Sequence, residues 1–202
     1  MDLKSTYNKI AKDWAADHSD DSWWIEGTEK YVSFLPKGGF VLDVGCGNGE
    51  KSKYFVDKGF GVTGFDFSEE MIKLARSHVP SATFFVKDIK EPLDFGKQFD
   101  GVFAQAVLLH ISKKEVLNVI KNIIAPLKPS GYLYIAVKET KPGKPDEQMV
   151  KESDYGYEYE RFFSYFTSEE MESYLEQAGL VIVHKETISS GKTNWIQIIA
   201  KK

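Results

Sequence analysis

Hydrophobic and polar positions divide the chain into a helical beginning and an alternating core. Four apolar residues near the amino end have the i, i+3, i+4, i+7 spacing of one helix face: Tyr7, Ile10, Ala11 and Trp14. A second helical stretch covers residues 23–35 and ends at Pro36, because this proline and the glycines after it do not continue a helix. Residues 1–36 are therefore predicted to form a helical segment that covers the core.

Strand-like and helical patterns alternate from Phe40 to Leu127. The segment Phe40–Val44 is a nearly continuous apolar run, typical of a strand buried on both faces of a parallel sheet. The later segments are helix 51–58, strand 61–66, helix 69–79, strand 83–88, strand 99–104 and helix 113–127. Such alternation predicts βαβ units and an α/β fold with a doubly wound sheet.

The carboxyl-terminal part of the chain predicts further strands and one long connection. Residues 131–137 form a buried strand, and the apolar runs 180–183 and 195–200 predict a terminal strand pair. The connection 140–166 is long for a compact domain, and such loops are usually functional or mobile. Because its aromatic stretch 154–166 could supply apolar walls, we interpret this connection as a candidate substrate lid.

Two helix starts carry a reciprocal capping pattern. The sequences SKKE at 112–115 and TSEE at 167–170 each place a glutamate three residues after a hydroxyl side chain. They predict well-defined helix boundaries at Ser112 and Thr167.

Composition limits the size, the partners and the compartment. A chain of 202 residues with 42% hydrophobic content predicts one domain, residues 1–202. Its 26 basic and 30 acidic residues leave a net charge of −4, which disfavours nucleic acid as a partner. Cys46 is the single cysteine, so no intramolecular disulfide is expected, and the histidines show no metal-ligand spacing. No segment approaches the roughly 20 apolar residues of a membrane span, so we expect a cytoplasmic protein without a membrane partner.

The first strand-to-helix turn, DVGCGNGE at residues 43–50, carries the clearest chemical signal. Alternate glycines let the backbone turn sharply and let a ligand approach it closely. A dinucleotide-binding G-x-G-x-x-G motif would place its last glycine at position 50, where Glu50 would repel a pyrophosphate. The turn therefore favours a ligand without phosphates, and the alternative is an ordinary tight turn.

Two aspartates follow the next strands. Asp66 comes about twenty residues after the glycine turn, where a carboxylate can accept hydrogen bonds from ribose hydroxyls. The alternative, a helix N-cap, is already supplied by Ser68. Asp88 stands in a similar position and could accept from an adenine amino group, with a solvated aspartate at a strand end as the alternative.

A family resemblance rests on these segments in their order along the chain. Residues 41–49, VLDVGCGNG, resemble the first motif of class I S-adenosylmethionine-dependent methyltransferases. Four further segments resemble later motifs of that family: GFDFSEEM at 64–71, VKDI at 86–89, FDGVF at 99–103 and LKPSGYL at 127–133. The resemblance implies a Rossmann-like sheet of seven strands, mostly parallel with an antiparallel last strand, and helices on both faces. It is strongest to small members with a short helical amino terminus, which act mostly on small molecules.

The resemblance also implies roles for individual residues. Gly45 and Gly47 would contact the methionine moiety of the cofactor, Asp43 its ammonium group and Asp66 the ribose. Phe67 and Met71 would lie beside the adenosine. The implied cofactor-binding set is Tyr7, Asp43, Gly45, Cys46, Gly47, Asp66, Phe67, Met71, Asp88, Ile89, Gln105 and Ala106.

Candidates for the acceptor side are fewer. His110 follows the fourth predicted strand and is a candidate general base, with a packed or capping histidine as the alternative. Trp14, Arg161 and Tyr165 are substrate candidates, although Arg161 could instead pair with a nearby surface glutamate, Glu158 or Glu160. Two other aromatics of this stretch, Phe162 and Phe166, are expected in the core.

Absent motifs narrow the expected acceptor. The segment after the fourth strand lacks an N-P-P-Y signature, and the lone cysteine lies in the glycine turn, so methylation of DNA bases is disfavoured. No glutamate pair resembles that of protein arginine methyltransferases, and no acidic cluster suggests a metal site. We therefore expect in-line methyl transfer, without a metal, to an oxygen or nitrogen of a small molecule. A macromolecular acceptor, a non-catalytic protein that binds the cofactor or its demethylated product, and a nicotinamide oxidoreductase stay as alternatives.

Overall fold

The computed structural model describes residues 2–202. Its helices are α1 (Leu3–Asp17), α2 (Ile25–Val32), α3 (Glu50–Asp57), α4 (Glu69–His78), α5 (Lys113–Ile123) and α6 (Ser168–Gln177), with a short 3₁₀ turn at Leu108–His110. Its strands are β1 (Phe40–Val44), β2 (Gly61–Asp66), β3 (Thr83–Val86), β4 (Phe99–Gln105), β5 (Leu127–Lys138), β6 (Glu147–Glu152), β7 (Tyr159–Ser164), β8 (Val181–Ser190) and β9 (Thr193–Lys201).

Seven strands make one sheet in the order β3-β2-β1-β4-β5-β9-β8. The strands from β3 to β5 pair in parallel, and the last strand, β9, is antiparallel to both of its neighbours. The predicted Rossmann-like, doubly wound and mostly parallel sheet with an antiparallel last strand is confirmed. The strand order reverses between β1 and β4, which is where open α/β sheets place a ligand crevice at their carboxyl ends.

The core lies on both faces of this sheet because successive strand residues point in opposite directions. Leu42 and Val44 of β1 pack on one face, together with side chains of α5 and α6. Val41, between them, packs on the other face with Tyr31 of α2 and Phe55 of α3. These five side chains are at most 1% exposed, and burial of each large apolar side chain contributes about 1.5–3 kcal/mol. The packing confirms helices on both faces.

Several predicted boundaries differ from those of the structure, and two of the differences have a local cause. The helix predicted over 113–127 ends at Ile123, because Pro126 lacks an N–H group and restricts the residue before it; Leu127 already belongs to β5. The strand predicted over 83–88 ends at Val86. Asp88 then turns the chain by accepting a hydrogen bond from the Lys90 backbone N–H at 2.9 Å.

The capping pattern forms at one of its two predicted positions. The Thr167 hydroxyl accepts from the Glu170 N–H at 3.2 Å, and the Glu170 carboxylate accepts from the Thr167 N–H at 2.9 Å. At Ser112 the hydroxyl donates to the Glu115 carboxylate instead and caps no backbone N–H. The helix boundary predicted at Ser112 is confirmed, but the reciprocal capping bonds are not formed there, because the serine side chain bonds to a side chain and not to the helix end.

The connection 140–166 is not an irregular loop. It contains an antiparallel hairpin in which β6 pairs with β7 from Glu147 opposite Ser164 to Glu152 opposite Tyr159. The mostly polar sequence of β6, EQMVKE, conceals this strand, because its apolar residues are few and the hairpin forms a separate sheet of two strands.

Two absences hold for residues 2–202. None of the helices there combines the length and apolar character that crossing a bilayer requires. No three His, Cys, Asp or Glu side chains in this part of the chain are grouped so that they could hold a metal ion.

Candidate active site

A cavity of about 530 Å³ opens at the carboxyl ends of the parallel strands. Asp43, Asp66, Gln105 and Lys138 line it, and each lies at or next to the end of one strand, β1, β2, β4 or β5 respectively. Helix α1 and the strand β7 line the opposite side. The cavity therefore lies between the sheet edge and two elements that come from distant parts of the chain.

The glycine turn forms one wall of the cavity. Gly45 and Gly47 adopt left-handed φ angles of 61° and 53°, which favour glycine. A Cβ at position 45 would lie 2.6 Å from Cγ2 of Val107, so the turn also depends on close packing there. A Cβ at position 47 would lie 3.6 Å from the Trp14 ring and would occupy space in the cavity. The bare backbone between these glycines is thus accessible to a ligand.

Asp66 closes the turn from the end of β2. Its carboxylate accepts from the Gly47 N–H at 3.1 Å and from the Ser68 N–H at 2.9 Å. A carboxylate has about four lone-pair sites, so it retains capacity for two ligand hydroxyls. Burial raises the pKa of Asp66 to about 6, against the opposing effect of these N–H donors. Ser68 caps α4 through the Met71 N–H, as expected.

Asp43 is a second buried carboxylate at the floor of the cavity. It is 3% exposed and accepts a hydrogen bond from the Ser52 hydroxyl at 2.6 Å. Burial raises its pKa to about 7, and the Ser52 bond and the Lys51 ammonium act in the opposite direction. Lys51 also lines the cavity and lies 4.7 Å from the ring centroid of Trp24.

The Glu50 side chain does not face the cavity, although its position at the end of the glycine turn suggested that it would. Its carboxylate lies 4.0 Å from Nδ1 of His78, and Glu50 is not among the cavity residues. The repulsion argument against a pyrophosphate therefore does not hold, because the carboxylate faces His78 at the end of α4. At Gly49, φ is 86° and an added Cβ would come within 3.1 Å of the Ala75 Cα, so the turn packs directly on α4.

The end of β4 supplies two residues of unusual character. Gln105 lines the cavity, and its buried Oε1 has no hydrogen-bond partner in residues 2–202. An unpartnered buried acceptor costs about 1–3 kcal/mol unless a ligand donates to it. Ala106 adopts a left-handed φ of 56°, a strained conformation of the kind that concentrates at binding sites.

Tyr7, His110 and Arg161 form a hydrogen-bonded chain across the cavity. Nδ1 of His110 faces the Phe162 carbonyl oxygen at 2.7 Å and must carry the proton, so Nε2 accepts from the Tyr7 hydroxyl at 2.8 Å. Arg161 donates to the same hydroxyl at 3.3 Å. Burial lowers the pKa of His110 to about 3 and raises that of Tyr7, so both side chains are neutral at pH 7.

Arg161 is paired with Glu152 across the hairpin. Its two N–H groups donate to the two carboxylate oxygens, both at 2.6 Å, and the side chains are 14% and 17% exposed. The expected partners, Glu158 and Glu160, were wrong, because β6 places Glu152 directly opposite the beginning of β7. Arg161 nevertheless lines the cavity.

The structure brings nearly all predicted site residues to this cavity. The following line it: Tyr7, Trp14, Asp43, Gly45, Cys46, Gly47, Asp66, Phe67, Met71, Asp88, Ile89, Gln105, Ala106, His110 and Arg161. Tyr165 does not, since its hydroxyl bonds with the Gln148 amide at 3.2 Å. Phe166 is buried in the core as expected, whereas Phe162 lines the cavity, so its expected core position was wrong.

Sequence reasoning did not single out many of the cavity residues, and four of these lie close together: Trp23, Lys138, Phe163 and Trp195. Lys138 directly follows the strand predicted over 131–137, so the rule that ligands lie at carboxyl strand ends could have identified it. Trp195 is the third residue of β9, and because that strand runs antiparallel its first residues meet the same sheet edge, with Trp195 opposite Lys138. Trp23 stacks on Trp195 with 4.2 Å between ring centroids. No local pattern signals this contact.

Comparisons with known proteins agree with this architecture. The chain is similar to YqeM of Bacillus subtilis, a protein with a methyltransferase name, at 38% identity over 124 residues, covering 58% of this chain and 48% of that protein. It is also similar to a ubiquinone biosynthesis O-methyltransferase of Coxiella burnetii, at 34% identity over 104 residues, covering 50% of this chain and 44% of that one. The chain thus spans about half the length of these curated relatives.

A solved structure extends the likeness over nearly the whole chain. It is the 1,6-didemethyltoxoflavin-N1-methyltransferase of Burkholderia thailandensis, with a TM-score of 0.79, 23% identity and coverage of 99% of this chain and 87% of that one. At this identity the likeness supports the fold alone. A family described as a methyltransferase domain matches residues 17–185, which is most of the chain. The motif order, the sheet topology and this match agree, and the chain therefore belongs to the class I S-adenosylmethionine-dependent methyltransferases.

Proposed function

We propose that this protein transfers a methyl group from S-adenosylmethionine to an oxygen or nitrogen of a small-molecule acceptor. The observation that carries the proposal is the single cavity in which the glycine turn, Asp66 and the unpartnered Gln105 meet aromatic side chains from distant segments. The cavity volume, about 530 Å³, falls within the roughly 300–1,000 Å³ range of small-molecule sites. It gives a cofactor and a small acceptor a shared enclosure.

The residues present fit S-adenosylmethionine. Asp66 would accept the two ribose hydroxyls, and the backbone from Gly45 to Gly47 would contact the methionine moiety. The unpartnered Oε1 of Gln105 and the carboxylate of Asp43 are acceptors suited to the ammonium group of that moiety. Phe67, Met71, Asp88 and Ile89 would enclose the adenosine, where the last two follow β3.

The protein contributes mainly placement and exclusion of water. When bound, the cofactor supplies a methyl group on a sulfonium, which is a good leaving group. Orientation of two reactants can contribute roughly 7–11 kcal/mol to lowering a barrier. Tyr7, held at its hydroxyl by His110 and Arg161, is fixed over the cavity and can orient the acceptor.

His110 acts in this proposal as a positioning residue and not as a general base. Both ring nitrogens hold partners, and a pKa of about 3 makes a weak proton acceptor near neutral pH. If His110 were the base, the dependence of kcat on pH between about 6 and 9 would contain a step that His110→Asn removes. We expect no such step. Such a step would instead assign the base to His110.

The acceptor class is supported by the enclosure and by the names of related proteins. The Burkholderia thailandensis structure is described with 1,6-didemethyltoxoflavin and S-adenosylhomocysteine bound, and the Coxiella burnetii relative is named for ubiquinone biosynthesis. Aromatic walls with a few polar groups are typical of small-molecule pockets. They favour a small acceptor over a macromolecular one.

We also propose that the predicted covers act as one lid within a single domain. Helix α1 contacts the hairpin of β6 and β7 through five hydrogen bonds: Thr6 to the Glu160 carbonyl at 3.1 Å, Lys9 to the Glu158 carbonyl at 3.0 Å, Tyr157 to Asp13 at 2.5 Å, Tyr155 to Asp17 at 3.4 Å, and Arg161 to Tyr7 at 3.3 Å. The bonds made by Lys9, Tyr155 and Tyr157 are exposed, and each such bond contributes only about 0.5–1.5 kcal/mol to holding the two elements together. This lid would admit the ligands and then exclude water.

Labelled cofactor tests the function directly. The purified protein is incubated with a metabolite extract and S-adenosylmethionine that carries a labelled methyl group, and the labelled product is identified. We expect transfer to a small molecule, with loss of transfer in Asp66→Ala. Tight binding of the cofactor without transfer to any extract would instead support a regulatory, non-catalytic protein.

A further inference from the structure

Lys138 is a cation at the acceptor end of the cavity. The methyl-transfer chemistry assigns no role to it. It is the last residue of β5 and lies one strand beyond Gln105, away from the glycine turn. Its ammonium nitrogen lies 4.3 Å from the ring centroid of Phe163 and 5.8 Å from that of Trp195. Trp23 extends this aromatic wall by stacking on Trp195.

The Lys138 ammonium has no partner of opposite charge. Within residues 2–202 it forms no salt bridge and no side-chain hydrogen bond. The charged groups that act on it are Arg161, Lys141 and Glu152, and the Glu152 carboxylate is already held at both oxygens by Arg161. Two of the three are cations, so the local potential favours an incoming negative charge.

Lys113, a second partly buried lysine with a structural role, provides a comparison for Lys138. Its side chain is 17% exposed, and its ammonium lies 2.8 Å from the Glu170 carboxylate and 3.1 Å from that of Asp146. These partners outweigh burial and raise the pKa of Lys113, whereas burial next to Arg161 lowers the pKa of Lys138 to about 8. A partly buried ammonium without a counter-ion is costly unless a ligand compensates it.

We propose that the ammonium of Lys138 anchors an anionic oxygen of the methyl acceptor, and that the acceptor's flat ring lies against Phe163 and Trp195. The acceptor is thus an aromatic or similarly planar acid. Its negative charge pairs with Lys138, and its ring meets the aromatic wall through offset or edge contacts. This proposal rests on the proposed function, because it names the substrate class of the same cavity.

Binding experiments can test the anchor without requiring turnover. The protein is saturated with S-adenosylhomocysteine, and calorimetry then measures the affinity of aromatic hydroxy acids and of their primary amides. We expect the best acid to bind roughly 10–150-fold more tightly than its amide, the range for a hydrogen bond to a charged group. Lys138→Met should abolish this preference, and Lys138→Arg should retain most of it.

Matched controls separate the anchor from other roles of Lys138. Lys141→Met removes an exposed neighbouring ammonium whose bond goes to the Lys192 carbonyl, and it should lower the preference far less than Lys138→Met does. The affinity for S-adenosylhomocysteine should be the same in all four proteins, and a thermal melt should show that each is folded.

Three results would overturn the proposal. The first is equal affinity of acid and amide for the unaltered protein across the panel. The second is a preference that survives in Lys138→Met. The third is weaker binding of S-adenosylhomocysteine in Lys138→Met, which would assign the ammonium to the cofactor carboxylate. Failure of the proposed function is distinguishable, because it would show as absent methyl transfer while these binding results still stand.

Discussion

The two ends of the cavity are built in different ways. At the cofactor end the hydrogen bonds join residues close in sequence: 19 positions separate Gly47 from Asp66, and 9 separate Asp43 from Ser52. At the acceptor end they join residues far apart, with 103 positions between Tyr7 and His110 and 154 between Tyr7 and Arg161. Short separations produce motifs that are visible in a sequence. Long separations produce contacts that exist only once the chain has folded.

The two ends of the cavity should also differ in rigidity. The cofactor end lies on the buried strands β1, β2 and β4, whose packing holds each carboxylate in place. The acceptor end combines the end of β5 with α1 and a hairpin of two strands outside the main sheet. Elements with few buried contacts open at lower free energy than core strands. We therefore expect the cofactor end to be preformed and the acceptor end to adapt.

The largest expected effect comes from Asp66→Ala, which should damage the cofactor end alone. Loss of two hydrogen bonds to a charged acceptor should weaken cofactor affinity by roughly 1.5–3 kcal/mol, measured by calorimetry. Asp94→Ala is the control, since Asp94 bonds only to the Gly96 N–H in an exposed turn. A folded Asp66→Ala protein with unchanged affinity would contradict the ribose role.

Glu152→Gln should act on the acceptor end. It leaves the Arg161 guanidinium without its carboxylate, and the free energy of unfolding should fall by about 2 kcal/mol, between the values for exposed and buried ion pairs. Glu160→Gln removes an exposed partner of Lys151 at 3.5 Å and should cost less than about 0.5 kcal/mol. Denaturant unfolding measures both variants. An equal decrease in the free energy of unfolding in both variants would show that the Arg161–Glu152 pair stabilises the protein no more than the exposed Lys151–Glu160 pair.

Cofactor affinity should depend on pH through Asp66. Only the ionised carboxylate accepts both ribose hydroxyls, and burial raises its pKa to about 6 in the free protein. Binding therefore favours the deprotonated form, so affinity is complete above about pH 6 and falls as the pH drops below it. The fall approaches tenfold per pH unit, or about 1.4 kcal/mol.

Asp66→Asn separates this titration from that of its neighbour. Asp43 has a pKa of about 7, so any dependence that persists in Asp66→Asn belongs to Asp43. Calorimetry with S-adenosylhomocysteine between pH 5 and 8 makes the measurement. An unchanged slope in Asp66→Asn would refute the assignment to Asp66.

The smallest expected effect concerns the lid. Hydrogen exchange of residues 2–17 and 147–164 should be fast in the free protein and slower with S-adenosylhomocysteine, because bound ligand favours the closed arrangement. Tyr157→Phe removes the bond to Asp13 and should therefore make exchange in α1 faster. The expected decrease in the opening free energy of α1 is less than about 1 kcal/mol. Equal protection in the free and bound protein would rule out a mobile lid.

The sequence by itself determined the sheet and the cofactor end. Buried parallel strands are apolar runs that end at chemically distinctive residues, so β1, β2 and β4 and the turn from Asp43 to Glu50 were predictable. The side-chain direction of Glu50 was not, because helix packing decides it. The contact of Glu115 with Lys90, 25 positions away, was equally beyond a local pattern.

Only the tertiary structure decided the acceptor end. The hairpin pairing places Glu152 against Arg161, and the antiparallel direction of β9 brings Trp195 beside Lys138. Neither contact leaves a periodic signal, since each depends on the register between strands and on elements joined by long connections. The physical reason is that local sequence encodes which face of an element is apolar, whereas the contacts between remote polar side chains follow from how complete elements pack.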